Sequence, residues 1–262
     1  MIAWERLATA GERFTGSESL PGAAAVLGIV VAMEREARIV RAALDATGLA
    51  HAARVAVCGI GPQRARVSAL ALVDAGASAL AVIGFAGALI DGIAAGDLLL
   101  PARVRDGEDT VRDGGDAHAA TLLAALSRIA TVHTGVLASV AQPVANSAAK
   151  RALALASGAV AVDMESACVV RVALAAGLPW TVLRAVSDAV ERSLPRCALQ
   201  GVDALGRVRP AALAAALLRR PWELGALPRL ARDVRAAQQV LSAATALALP
   251  VLCAAPFAAR RA

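Results

Sequence analysis

The feature that most limits the fold is a repeated pairing of short, unbroken apolar runs with segments of helical spacing. The first run, 26–32, reads Val-Leu-Gly-Ile-Val-Val-Ala. A strand with one wet face would alternate; this one is apolar throughout and rich in β-branched residues, as a strand covered on both faces must be. Residues 34–44 follow with helical spacing. The pattern continues with strands expected at 54–58, 79–83, 97–100, 131–139, 159–162 and 180–186. Helices are expected at 63–74, 121–129, 148–156 and 165–176. The polar, glycine-containing stretch 105–116 reads as a loop or hairpin tip. Such alternation predicts an α/β fold, with a central mixed, largely parallel twisted sheet flanked by helices.

With 262 residues the chain can bury a sizeable core without disulfides or metals. No Pro-, Gly- or Ser-rich linker divides it. The expected division is an N-terminal extension at 1–24, one catalytic domain at 25–238 and an apolar C-terminal tail at 239–262. Charged residues are 18% and hydrophobic residues 58%, which excludes a mainly disordered chain. Aromatics are 2% with no tyrosine, so the stacking platforms of single-strand nucleic-acid binders are missing. No Walker A or dinucleotide fingerprint occurs. The net charge of +6 is accounted for by arginines near the C-terminus, and no nucleic-acid partner is expected. Cys58, Cys168, Cys197 and Cys253 form no C-x-x-C pair and read as buried thiols of a reducing, cytoplasmic compartment. His51, His118 and His133 lack the spacing of a helical metal pair, so no metal is expected. Glu5 and Glu12 fall where a secretory signal would need apolar residues.

In open α/β sheets ligands bind beyond the carboxyl ends of the strands. Three apolar runs deliver carboxylates there: the first into Met33-Glu34-Arg35-Glu36, another into Asp163-Met164-Glu165, and the last into Ser187-Asp188. Glycine turns at 59–61 and 84–87 are expected on the same rim, where backbone N–H groups can approach a ligand. One such carboxylate would be read as a helix cap. Three together with two glycine turns point to a ligand site.

Six segments resemble the nucleoside phosphorylase and methylthioadenosine/S-adenosylhomocysteine nucleosidase superfamily, in the order that family shows. They are Gly28-Ile-Val-Val-Ala-Met-Glu-Arg-Glu36, Cys58-Gly-Ile-Gly61, Gly84-Phe-Ala-Gly87, Gly96-Asp97, Val162-Asp-Met-Glu-Ser166 and Leu183-Arg-Ala-Val-Ser-Asp188. Further on, Glu191-Arg-Ser-Leu-Pro195, Leu217-Leu-Arg-Arg-Pro221 and Leu227-Pro-Arg-Leu-Ala-Arg-Asp233 resemble the hopanoid-associated phosphorylase branch, linked to removal of adenine from adenosylhopane. The resemblance implies a three-layer-like phosphorylase fold and cleavage of a purine N-glycosidic bond. Asp188 would be the acid at purine N7, held by Ser187 and kept protonated by apolar walls. Glu36 would orient the attacking water. Glu165 would grip the ribose hydroxyls, with Met164 against the sugar. Asp163, Val144, Phe85, Ala86, Gly87 and Gly61 complete the implied substrate-binding set.

Phe85 stands where the nucleosidases have a small polar residue, and Pro143 where they place a phenylalanine against the base. Both departures put ordinary methylthioadenosine specificity in doubt. Hydrolysis is preferred over phosphorolysis because residues 32–37 carry the nucleosidase-like Glu36. Inorganic phosphate stays open as a co-substrate, with Arg35, Arg38 and Arg64 as its candidate cations, all three otherwise read as solvated helix surface. No other cofactor is implied. Three readings stand: adenine release from a lipid-linked adenine nucleoside, the same chemistry on soluble methylthioadenosine or S-adenosylhomocysteine, and a non-catalytic nucleoside-binding protein. A homo-oligomer is expected. The uncharged stretch 240–259, following a cluster of arginines, reads as a core helix with a loose tail or as a peripheral membrane contact.

Overall fold

The apolar run beginning at Ala79 does not stop at Ile83. In the computed structural model, which describes residues 25–106, 109–111 and 118–254, it continues to Ala88. In chain order the elements are β1 (Leu27–Val31), α1 (Glu34–Thr47), β2 (Ala53–Val57), α2 (Pro62–Asp74), β3 (Ala79–Ala88), β4 (Leu98–Leu99), β5 (Val104–Asp106) and β6 (Asp109–Val111). Then come α3 (Ala119–Leu126), β7 (Val132–His133), β8 (Leu137–Ser139), α4 (Ser147–Ser157), β9 (Ala161–Asp163), α5 (Ser166–Ala175) and β10 (Trp180–Asp188). The chain closes with α6 (Arg196–Gln200), α7 (Pro210–Arg219), a 3₁₀ segment (Pro221–Ala226) and α8 (Leu227–Cys253). The expected extension at 1–24 and residues 255–262 lie outside the described residues.

β3 organises the sheet. Its first half pairs in parallel with β1, Leu27 opposite Ala79. Its last residues pair on antiparallel β9, Gly87 opposite Val162. The other edge of β3 is covered by parallel β10. One long strand therefore serves two neighbours on one edge, and the sheet forks there. Side chains alternate between two layers. Leu27, Ile29, Val31, Ala81, Ile83 and Phe85 pack with α1, α3 and α8. Val30, Leu80, Val82 and Ala86 pack with α2 and α5 on the opposite face. The result is the expected mixed, helix-flanked sheet.

Three expectations change. Residues 84–87 are strand, not a rim loop, because β9 and β10 pair with them. The run 131–139 is two strands: β7 pairs with β4, whereas β8 pairs with β5 and β9. The break falls at Gly135, where an added Cβ would lie 2.7 Å from Val160 Cγ1. The boundary drawn at 238/239 falls inside α8. Leu241, Ala244, Ala248, Leu249 and Leu252 are buried in the main core, so residues 239–253 are not a tail. The stretch 221–253 is long and apolar enough to cross a bilayer, but this face of it is already packed.

Candidate active site

α1 begins with no oxygen-bearing cap, since Met33 occupies that position. Glu36, in the first turn, bends back instead. Its Oε2 accepts from the N–H groups of Ala32 and Met33, both at 2.8 Å. Its Oε1 accepts from Phe85 N–H at 3.0 Å. Satisfying the free donors of a helix start is ordinary for a carboxylate; the third bond, from β3, is not local. Three of about four lone-pair sites are then used, and the second on Oε1 accepts none of these hydrogen bonds. Burial pushes the Glu36 carboxyl above its usual range, against the pull of Arg184 and these N–H groups.

The carboxylates of β9 and α5 share a buried arginine. Arg184, a charged residue inside the apolar β10 run, donates through Nη2 to Asp163 Oδ2. It also lies 3.6 Å from Glu165 Oε2 and 3.1 Å from Ser166 Oγ. Burial pulls its guanidinium down, but Asp163, Glu165 and Glu36 outweigh that and hold it above its ordinary value. Asp163 additionally accepts from Ser166 Oγ and from Ser166 N–H at 3.2 Å. It therefore anchors Arg184 and the start of α5, rather than presenting free oxygens to a ligand. Glu165 accepts from Gly61 N–H at 2.9 Å. Burial first, then Asp163 and Glu36 nearby, lift its carboxyl to about 7 despite Arg184.

Asp188 ends β10. Its Oδ1 accepts from Ser187 Oγ at 2.7 Å, as expected. Its surroundings are not the expected apolar walls: Oδ2 accepts from Nζ of Lys150, a wholly buried side chain on α4. Lys150 and Arg184 are the two residues that sequence reasoning missed. Both had a visible signal. Lys150 is the single lysine among 27 basic residues, and Arg184 interrupts an apolar strand.

These groups converge on one cavity of about 320 Å³. It is lined by Glu36, Asp163, Met164, Glu165, Ser187 and Asp188, and by Phe85, Ala86, Gly87 and Val144. Gly61 is not in the lining; its N–H holds Glu165 from outside. Pro143 does line it, and Leu194, Leu199, Leu230 and Val234 supply an apolar wall. Arg38 and Arg64 are exposed, as expected of helix surface. Arg35 is not: it lines the cavity with its guanidinium carbon 5.2 Å from the Phe85 ring centre. A larger depression of about 690 Å³ lies along α2 and α5, without converging carboxylates. Among the described residues no His, Cys, Asp and Glu cluster could hold a metal ion. The cysteines are all free, but only Cys197 is fully buried. Burial pushes the Cys58 thiol up to about 12, so it stays protonated.

The phosphorylase superfamily model matches residues 27–219, most of the chain and every residue just described except Leu230 and Val234. The chain belongs to the phosphorylase superfamily. Solved structures of similar fold agree. A point mutant of the Helicobacter pylori MTAN with 5′-methylthioadenosine in its active site is 19% identical, with 85% of this chain and 98% of that one covered at a TM-score of 0.58. The Streptococcus pneumoniae MTA/SAH nucleosidase in complex with 8-aminoadenine is 21% identical over 85% and 99%, at 0.58. The native futalosine hydrolase of Helicobacter pylori is 20% identical over 84% and 97%, at 0.55. No match is found among curated proteins. As a phosphorylase-superfamily enzyme, the chain lines this one cavity with four buried carboxyl groups, those of Glu36, Asp163, Glu165 and Asp188.

Proposed function

We propose that this superfamily member hydrolyses the N-glycosidic bond of a purine nucleoside and releases adenine. The observation that carries the reading is the convergence of Glu36, Glu165 and Asp188 on one cavity. The reaction needs three kinds of help, and each carboxyl is suited to one. The departing base must take a proton, and Asp188 is the acid at N7. The ribosyl centre becomes cationic, and Glu165, accepting from the sugar hydroxyls, sets negative charge beside it. A water must reach the anomeric carbon, and the second lone pair on Glu36 Oε1 orients it. Retention of all three argues against a protein that only binds nucleosides.

The substrate we favour is a lipid-linked adenine nucleoside of the adenosylhopane type, for which the apolar wall at Leu194, Leu199, Leu230 and Val234 leaves suitable surroundings. Soluble methylthioadenosine or S-adenosylhomocysteine is the alternative. The surface suited to membrane contact is then not 240–259 but the α7–3₁₀ junction. Leu218 is 84% exposed, Trp222 73% and Leu224 59%, beside Arg219, Arg220 and Arg229. An apolar and cationic surface of this kind suits an anionic bilayer, so we place the enzyme in the cytoplasm at the membrane face. Exposed Val67 and Leu70 on α2 and Leu174 on α5 support a homo-oligomer through that side.

Phosphorolysis has one observation in its favour. Arg35 reaches the cavity, and its buried Nε has no partner among the described residues. The deciding experiment follows adenine release from adenosylhopane and from 5′-methylthioadenosine, with and without phosphate. Hydrolysis predicts equal rates in both buffers. A strict phosphate requirement would replace it by phosphorolysis, and no adenine from any purine nucleoside would overturn the reading.

A further inference from the structure

We infer that Lys150 is the positioning residue of the acid, supplying through Asp188 the proton that the leaving base takes. The inference rests on the reading of Asp188 above. Lys150 is the one buried residue of α4 and has no exposure at all. Its Nζ has three partners: Asp188 Oδ2, the Ala189 carbonyl at 2.9 Å and the Arg192 carbonyl at 3.0 Å. All three ammonium hydrogens are used, so Lys150 cannot also bind substrate.

Tying α4 to the turn after β10 does not require a charge. Burying an ammonium is costly unless it is paired, and apolar packing commonly does such work equally well. The basic residues elsewhere are all arginine. Arginine holds its proton at any ordinary pH; lysine can release one. The only position filled by lysine is the one in contact with the acid.

The partner set fits both states of the amine. As an ammonium it gives one hydrogen to each carbonyl and one to Asp188. As a neutral amine it keeps two N–H donors for the same two carbonyls, and its lone pair then faces a protonated Asp188. The step balances. A proton passes from Nζ to the Asp188 carboxylate and from Asp188 to purine N7. The electron pair of the C1′–N9 bond goes to the base, which leaves neutral. Water adds to C1′ and releases a proton to solvent; once the base has left, Asp188, which lines the cavity, takes up a proton and returns it to Lys150. The Arg192 side chain does not compete, since it turns to Asp233 at 3.2 Å.

The test compares two leaving groups in wild type, Lys150→Met and Lys150→Gln. Adenine from 5′-methylthioadenosine must be protonated to leave; p-nitrophenolate from p-nitrophenyl β-D-riboside need not be. Both variants should lose adenine release by at least ~100-fold, the usual scale of general acid catalysis, and keep p-nitrophenolate release within about threefold. Lys150→Gln retains donors for the carbonyls, so it covers the case in which Lys150→Met does not fold. Equal loss of both activities in a folded variant, or no loss, would overturn the role of Lys150 alone. A wild type that releases neither product would overturn the nucleosidase reading and this inference with it.

Discussion

The backbone N–H of Gly61 donates to Oε1 of Glu165, 104 residues further along the chain, at 2.9 Å. That bond fixes a carboxylate whose pKa is lifted to about 7 from 4.5. Between those values the folded protein holds a proton that the unfolded chain does not. Stability contributed by the protonated group is full below about pH 4.5 and is lost as pH rises toward 7. Glu36, also shifted up, acts in the same direction. Thermal melts from pH 4.5 to 7.5 should show Tm falling across the window, and Glu165→Gln should flatten the slope. A slope unchanged by that substitution would remove Glu165 as its source.

Activity should run the other way. On the proposed reading Glu165 sets negative charge beside the cationic sugar only when ionised, so kcat/KM should rise with pH to a plateau above about 7. Glu165→Gln should lower the plateau and erase that limb; a retained limb near 7 would assign it to another group.

Asp188→Asn keeps the shape of the side chain and removes its acidity. Adenine release should drop by ~10²–10⁴-fold with the fold intact by circular dichroism. Near-normal turnover would refute the role of Asp188 as acid.

Gly84 has no room for a side chain. A Cβ there would lie 2.4 Å from Glu36 Oε1 and 2.5 Å from Arg184 Nη1. Gly84→Ala must displace a buried carboxylate or guanidinium, and should cost about 1–3 kcal/mol by denaturant titration while lowering kcat. Glycine at this position is a packing requirement of the charge pair, and a variant as stable as wild type would contradict it.

Vesicles test the α7–3₁₀ surface. Wild type should co-sediment with phosphatidylglycerol liposomes at low salt and release as salt screens the arginines. The double substitution Leu218→Ser, Trp222→Ser should bind several-fold less. Equal binding by both proteins would count against this surface.

Much of the fold was legible because buried strands and helices differ in period. The strand-end rule also pointed to Glu36, Glu165 and Asp188, which do line one cavity, although the sheet is not the open parallel one the rule assumes. β9 runs against β3, yet Val162, just before Asp163, still arrives opposite Gly87 because β3 is long enough to meet it. Three things stayed hidden. The extension of β3 through Gly84–Gly87 depends on partners from distant sequence. The helical end of the chain looked like a tail because its apolar face shows no partner until β1 and α1 are in place. Lys150 and Arg184 needed only a different question: why a lone lysine, and why a charge inside an apolar strand.

The fork at β3 also governs when the enzyme comes into being during synthesis. Its two neighbours on one edge, β1 and β9, lie more than a hundred residues apart, and β10 emerges later still. Contacts this distant form late. A nascent chain interrupted before residue 180 would own Glu36 and Glu165 but neither Asp188 nor the strand that carries Arg184. Translation therefore cannot assemble this cavity until β10 has emerged.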